Sequence, residues 1–97
     1  MAYRTGLGAA QAIHAQCNGG KGWYAGVTNK PDRRLREHAV DVGGACGIVE
    51  CETASVAAEA EKILHEWGYE GQSGGGTTDD SFWVYTYKIT PRTVEGR

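Results

Sequence analysis

The sequence predicts a small α+β domain, with a mostly antiparallel sheet built on an N-terminal hairpin, flanked by helices in the order β-β-α-β-α-β. Three observations predict it. Asn18-Gly19-Gly20 stands between two short segments, and Asn and Gly accept the positive φ that a hairpin turn needs. Val56, Ala60, Ile63, Leu64 and Trp67 recur at helical spacing as one apolar stripe. The run Phe82-Trp83-Val84-Tyr85-Thr86-Tyr87-Lys88-Ile89 is dense in the aromatic and β-branched residues that suit a strand.

Each element follows in order. Residues 1–8 are punctuated by glycine and read as a loose end. Ala9 to Cys17 has the propensity of a helix, but the Asn-Gly-Gly turn requires a partner for Trp23-Tyr24, so the segment reads as the first strand. Trp23 to Thr28 is the second. Pro31-Asp32 opens the first helix, since Pro is tolerated in a first turn and Asp suits the positive end of the dipole. Leu35, Ala39 and Val42 form its core face, and Gly43-Gly44 ends it. Gly47 to Thr53 alternates polar and apolar residues as a strand does. Thr53 or Ser55 caps a second helix that runs to about Trp67, with Gly68 as terminator. Residues 71–81 offer only small and polar side chains and read as a flexible loop. Phe82 to Ile89 is the last strand, able to promote dimerisation if it lies at a sheet edge, and 91–97 is a loose tail.

The 97 residues make a single domain, and an apolar fraction of 40% supplies one modest core. No apolar run approaches the ~20 residues of a membrane-spanning helix, and the first residues lack the charged-then-apolar layout of an export signal. Cys17, Cys46 and Cys51 are odd in number and sparse, which suits reduced thiols in the cytoplasm better than a disulfide framework. The formal net charge of −2 conceals an uneven distribution. Lys30, Arg33, Arg34 and Arg36 cluster in one short stretch, while Glu50, Glu52, Glu59, Glu61, Glu66 and Glu70 face only Lys62 in another. These are either two solvated helix faces or a phosphate-binding element beside a metal-binding one.

The segment from Tyr24 to His38 is the richest in chemistry. A strand, a tight turn and a helix start bring a phenol, the Arg34 guanidinium and the His38 imidazole close together, with Arg34 and His38 one helical turn apart. Guanidinium stays charged and grips phosphate oxygens in pairs.

Tyr24-Ala25-Gly26, followed by Thr28 and by Arg34-Leu35-x-x-His38, resembles the second half of the GIY-YIG nuclease signature over roughly residues 10–73. The resemblance implies a domain that opens with a hairpin whose two strands carry the two tripeptides. It implies that Tyr24 activates or holds an attacking water, and that Gly26 lets a phosphate or helix approach the backbone. Arg34 would then contact the scissile phosphate, and His38 would handle protons or phosphate. A glutamate of a later helix would bind Mg²⁺ or Mn²⁺. Helical periodicity leaves Glu59 and Glu61 equivalent beside the apolar stripe, but the family pattern has an aliphatic residue three positions on, which Leu64 supplies for Glu61. The partner would be DNA, contacted by Gly26, Thr28, Lys30, Arg33, Arg36 and Ser73.

The chain also departs from that pattern. His14 stands ten residues before Tyr24, where the family has its first tyrosine, and Gln72 or Ser73 stands where an asparagine is usual. Histidine can replace a phenol as proton acceptor. Phe82 to Ile89 reads as a strand where many relatives have a helix. The expected function is therefore a divalent-metal-dependent endonuclease. A module of the same type that binds nucleic acid or a protein without cutting is the alternative. A zinc site from His14, Cys17, Cys46 and Cys51 is a third reading, weakened because the last two flank a strand and not a knuckle.

Overall fold

A computed structural model describes residues 2–29, 46–71 and 82–90 of the chain. The helix expected from Pro31, the loop at 72–81 and the tail from Pro91 lie outside the described residues. Within them the order is α1 (Gly6–Cys17), β1 (Trp23–Thr28), β2 (Cys46–Glu50), α2 (Ala54–Glu66) and β3 (Trp83–Lys88). The class is α+β: the three described strands form an antiparallel sheet in the order β1-β3-β2.

The first element corrects the expectation. Ala9 to Cys17 is not the first strand of a hairpin but most of α1. Helix propensity prevailed because the strand partner that the turn appeared to demand arrives from the other end of the chain. β1 pairs with β3, with Tyr24 opposite Tyr87 and Gly26 opposite Tyr85. Asn18 does adopt the left-handed conformation, with φ of 49°, but as the C-cap of α1, its N–H donating to the His14 carbonyl at 2.6 Å. A left-handed Asn before Gly serves a helix end as well as a hairpin. The Thr5 side chain caps the other end by accepting from the Gly8 N–H at 3.0 Å. In the segment read as a loose end, Tyr3 donates its N–H to the Glu50 carbonyl and accepts from the Glu52 N–H, forming a parallel bridge at Cys51.

Both helices pack on one face of the sheet. Along α1 the apolar positions Ala9, Ala10 and Ile13 are buried, and along α2 Ala57, Ala60 and Leu64. They enclose Ala25, Val49 and Val84. Small residues let the layers close: a β-carbon on Gly47 would stand 2.5 Å from Cys17 Sγ and 2.8 Å from Ile13 Cγ1, so α1 rests directly on β2. Cys17 Sγ lies 3.0 Å from Thr86 Oγ1 on the same face. Strand alternation sends Tyr24, Gly26 and Thr28 of β1, with Tyr85 and Tyr87 of β3, to the opposite face. β3 has a strand on each side, so the edge position considered for it is not the one it holds.

α2 follows its predicted course, with Thr53 as the N-cap. Gly68, at φ of 102°, takes the left-handed position beyond the helix, and the Tyr69 N–H returns to the Leu64 carbonyl at 3.0 Å. That turn buries Tyr69 and leaves Trp67, the last member of the expected stripe, 42% exposed.

Cys51 is buried where the Tyr3 bridge meets the core. Burial, with the neighbouring Glu50 carboxylate adding to it, pushes its thiol from 9.0 up to about 11. Folding thus favours the neutral thiol. The stability it contributes is complete below pH about 9 and is lost as pH rises through about 11. Urea titrations of the native protein and Cys51→Ala should therefore differ less at pH 11 than at pH 8. A pH-independent difference would contradict the burial argument.

Candidate functional site

β1 organises the site because it is a described edge of the sheet and carries the Tyr24-Ala25-Gly26 tripeptide. Its outer side is occupied by the chain leaving α2. The Ala25 N–H donates to the Glu70 carbonyl at 2.9 Å, and the Glu70 N–H donates to the Trp23 carbonyl at 2.6 Å. His65 Nε2 lies 3.1 Å from the Ala25 carbonyl oxygen, an acceptor, so this nitrogen carries the proton. Glu61 precedes His65 by one helical turn, on the same face of α2. Glu61 is only 5% exposed, a rare position for a carboxylate unless it has partners, and it has them. Glu59, the other candidate, packs its side chain against Gly6 of α1 and so belongs to the helix–helix contact.

On the face away from the described helices, Tyr24 is half-buried and lies in a row of three tyrosine rings. Its centroid is 5.2 Å from Tyr87 at an interplanar angle of 21°, and 6.2 Å from Tyr85 at 27°. Tyr85 and Tyr87 are nearly parallel, at 6°. Stacked neighbours of this kind restrict a ring to one rotamer. Gly26 lies beside Tyr24 on the same face, and a β-carbon there would stand 2.6 Å from the Tyr85 hydroxyl. The absent side chain therefore admits Tyr85. Thr28, next on this face, is buried with a partner.

His14 is not brought to Tyr24. It sits on α1, on the helix-covered face, with Nδ1 2.8 Å from the Tyr69 hydroxyl and its ring edge-on to Tyr69 and Trp67. The Gly19 N–H donates to the same hydroxyl at 3.2 Å. Burial raises the Tyr69 phenol above its ordinary 10.0, although the Gly19 bond pulls it the other way. A protonated phenol that already accepts from Gly19 donates to His14 Nδ1, which places the imidazole proton on Nε2. The expectation that His14 stands in for a strand tyrosine is thereby corrected, because the strand it required is a helix.

The structure thus joins Tyr24, Gly26 and Thr28 on one strand face, while Glu61 belongs to the helix packed on the other face of the sheet. Lys30, Arg33, Arg34, Arg36, His38, Gln72 and Ser73 lie outside the described residues. Sequence reading passed over Tyr85, Tyr87 and His65. The first two carried a usable signal, since tyrosines two apart in a strand share a face. For His65 the spacing of four from Glu61 was the signal.

Among the described residues, no three of His, Cys, Asp and Glu stand close enough to hold a metal together. Of the residues in the zinc reading, His14 is engaged with Tyr69 and Cys17 with Thr86, and the Cys46 side chain lies outside the description. No described helix is long and apolar enough to cross a membrane. No protein-family model, curated protein or solved structure matches the chain.

Proposed function

We propose that this chain is an endonuclease that hydrolyses phosphodiester bonds in DNA with the help of Mg²⁺ or Mn²⁺. The observation that carries the reading is the pairing of the Tyr24-Ala25-Gly26 strand, antiparallel, with a second tyrosine-bearing strand, while the Glu61 helix flanks its outer edge. The GIY-YIG resemblance calls for two tyrosine strands side by side in one N-terminal hairpin. The strand order here differs, since the tyrosine strand beside β1 is β3, from the far end of the chain. Neither Cys17 nor Cys51 is in a disulfide, which accords with a reducing compartment such as the cytoplasm.

Glu61 would be the residue to hold a hard divalent cation, although it is only 5% exposed and already has a partner. Its oxygens are the donors Mg²⁺ prefers, and a single carboxylate leaves positions for water and phosphate oxygens. When bound, the ion would stabilise charge on the phosphate and its leaving oxygen. The remaining work falls to the chain. The Tyr24 phenol, held by its stacked neighbours, orients the attacking water and relays its proton. Arg34, ten residues on, neutralises charge on the phosphorane-like transition state. Lys30, Arg33, Arg36 and His38 belong to the same short run and contact the DNA backbone.

A second reading has its own support: His14 is committed to Tyr69 and Glu61 is almost fully covered, as in a module that binds without cutting. Supercoiled plasmid separates the two. The nuclease reading predicts nicking with Mg²⁺ or Mn²⁺ that falls about 10²-fold or more in Arg34→Ala. Equal activity in both proteins would mean a contaminant. Plasmid binding without nicking under either metal would establish the binding module.

A further inference from the structure

Tyr85 lies directly opposite Gly26, and its hydroxyl end occupies the space that a side chain at Gly26 would need. Tyr24 is Gly26's neighbour on that face, so Tyr85 reaches across β1 and lies along the Tyr24 ring. Tyr87, directly opposite Tyr24, closes the other side. Burial grades the row: Tyr85 and Tyr87 are 1% and 0% exposed, while Tyr24 is half-buried. The two β3 rings are thus a fixed wall, and Tyr24 is the member of the row with a solvent-facing portion. An aromatic ring laid over a glycine on the neighbouring strand is a common way of covering a gap in a sheet. Here the same ring also limits the torsions of the tyrosine beside the gap.

We infer that Tyr85, seated in the gap left by Gly26, is a positioning residue that sets the orientation of the Tyr24 phenol for its reaction. The inference rests on the hydrolase reading above. It gives Gly26 a different purpose from the one the sequence suggested: the missing side chain admits a tyrosine of β3 and not a phosphate. The means is the ring, since stacking contact and not the Tyr85 hydroxyl orients Tyr24. A reactive group displaced by about 1 Å can lose on the order of 10²-fold in rate while substrate binding is unchanged.

The test is steady-state nicking of supercoiled plasmid with Mn²⁺ by four proteins: the native chain, Tyr85→Phe, Tyr85→Leu and Gly26→Ala. Circular dichroism and thermal melting of each accompany it. Tyr85→Phe keeps the ring and should retain kcat within about 3-fold. Tyr85→Leu loses the stack, and Gly26→Ala displaces it. Both should lose at least about 10-fold in kcat per folded molecule at unchanged KM. The dichroism and melting supply the folded fraction, which is needed because loss of folded protein alone also lowers apparent kcat without moving KM. Should Tyr85→Leu fail to fold, Gly26→Ala decides, because it removes no side chain and only shifts the Tyr85 ring. Native kcat in a folded Tyr85→Leu or Gly26→Ala overturns the inference and leaves the nuclease reading standing. So does a Tyr85→Phe as impaired as Tyr85→Leu. A native protein that never nicks removes the nuclease reading and this role with it.

Discussion

Glu61→Gln should lower plasmid nicking about 10²-fold or more at saturating DNA, with little change in DNA affinity. The substitution keeps the volume of the side chain, removes the charge, and turns one acceptor oxygen into an amide donor. Glu61 lies on the α2 face that His65 anchors to the edge of β1, so the carboxylate is held by a helix whose own place is secured by the Ala25 contact. If the carboxylate recruits the ion, raising Mn²⁺ should recover part of the activity in Glu61→Gln, because a neutral oxygen ligand still binds a hard cation, though weakly. If the charge serves only the packing of α2, the variant should melt earlier yet nick at the native rate per folded molecule. Measuring rate against Mn²⁺ concentration alongside the melt distinguishes the two outcomes.

Leu64→Ala should destabilise the fold by about 2–5 kcal/mol, the usual range for emptying a fully buried leucine site. Leu64 is wholly buried in the cluster that joins α1, α2 and the sheet. Its carbonyl also accepts the Tyr69 N–H that closes the end of α2. Against a total stability of about 5–15 kcal/mol for domains of this kind, that loss is large. Trp67→Ala removes more atoms but should cost less, since Trp67 is 42% exposed. Urea unfolding of the two variants checks the order. A greater loss for Trp67→Ala would mean that its contact with His14 outweighs the core position of Leu64.

The contrast between Leu64 and Trp67 shows where the sequence is readable. Periodicity of 3.6 residues assigns a face to each position, and α2, its Thr53 cap and its Gly68 terminator followed from local pattern. β3 followed equally from composition. The failures were at places where one local signal serves two structures. Asn18 in the left-handed conformation fits a hairpin turn and a helix C-cap alike, and the choice depended on which strand would pair with β1. That partner is nearly sixty residues away in sequence, a distance over which no local rule operates. His14 was misplaced for the same reason, since its expected role depended on the wrong strand. Tyr85 and Tyr87 were seen as strand formers, not as neighbours of Tyr24.

By itself the sequence determined the α+β class, all three described strands, the amphipathic helix that carries Glu61, and the Tyr24-Ala25-Gly26 tripeptide with Arg34 and His38 beyond it. All of these are written in propensity, spacing and side-chain chemistry within a few turns of chain. Only the tertiary structure decided that β3 lies between β1 and β2, that its tyrosines line Tyr24, and that Gly26 is the seat of Tyr85. It also moved His14 to a bond with Tyr69. The physical reason is that strand pairing is non-local. A strand's pattern states that it must find a partner, and the packing of the whole chain selects which one.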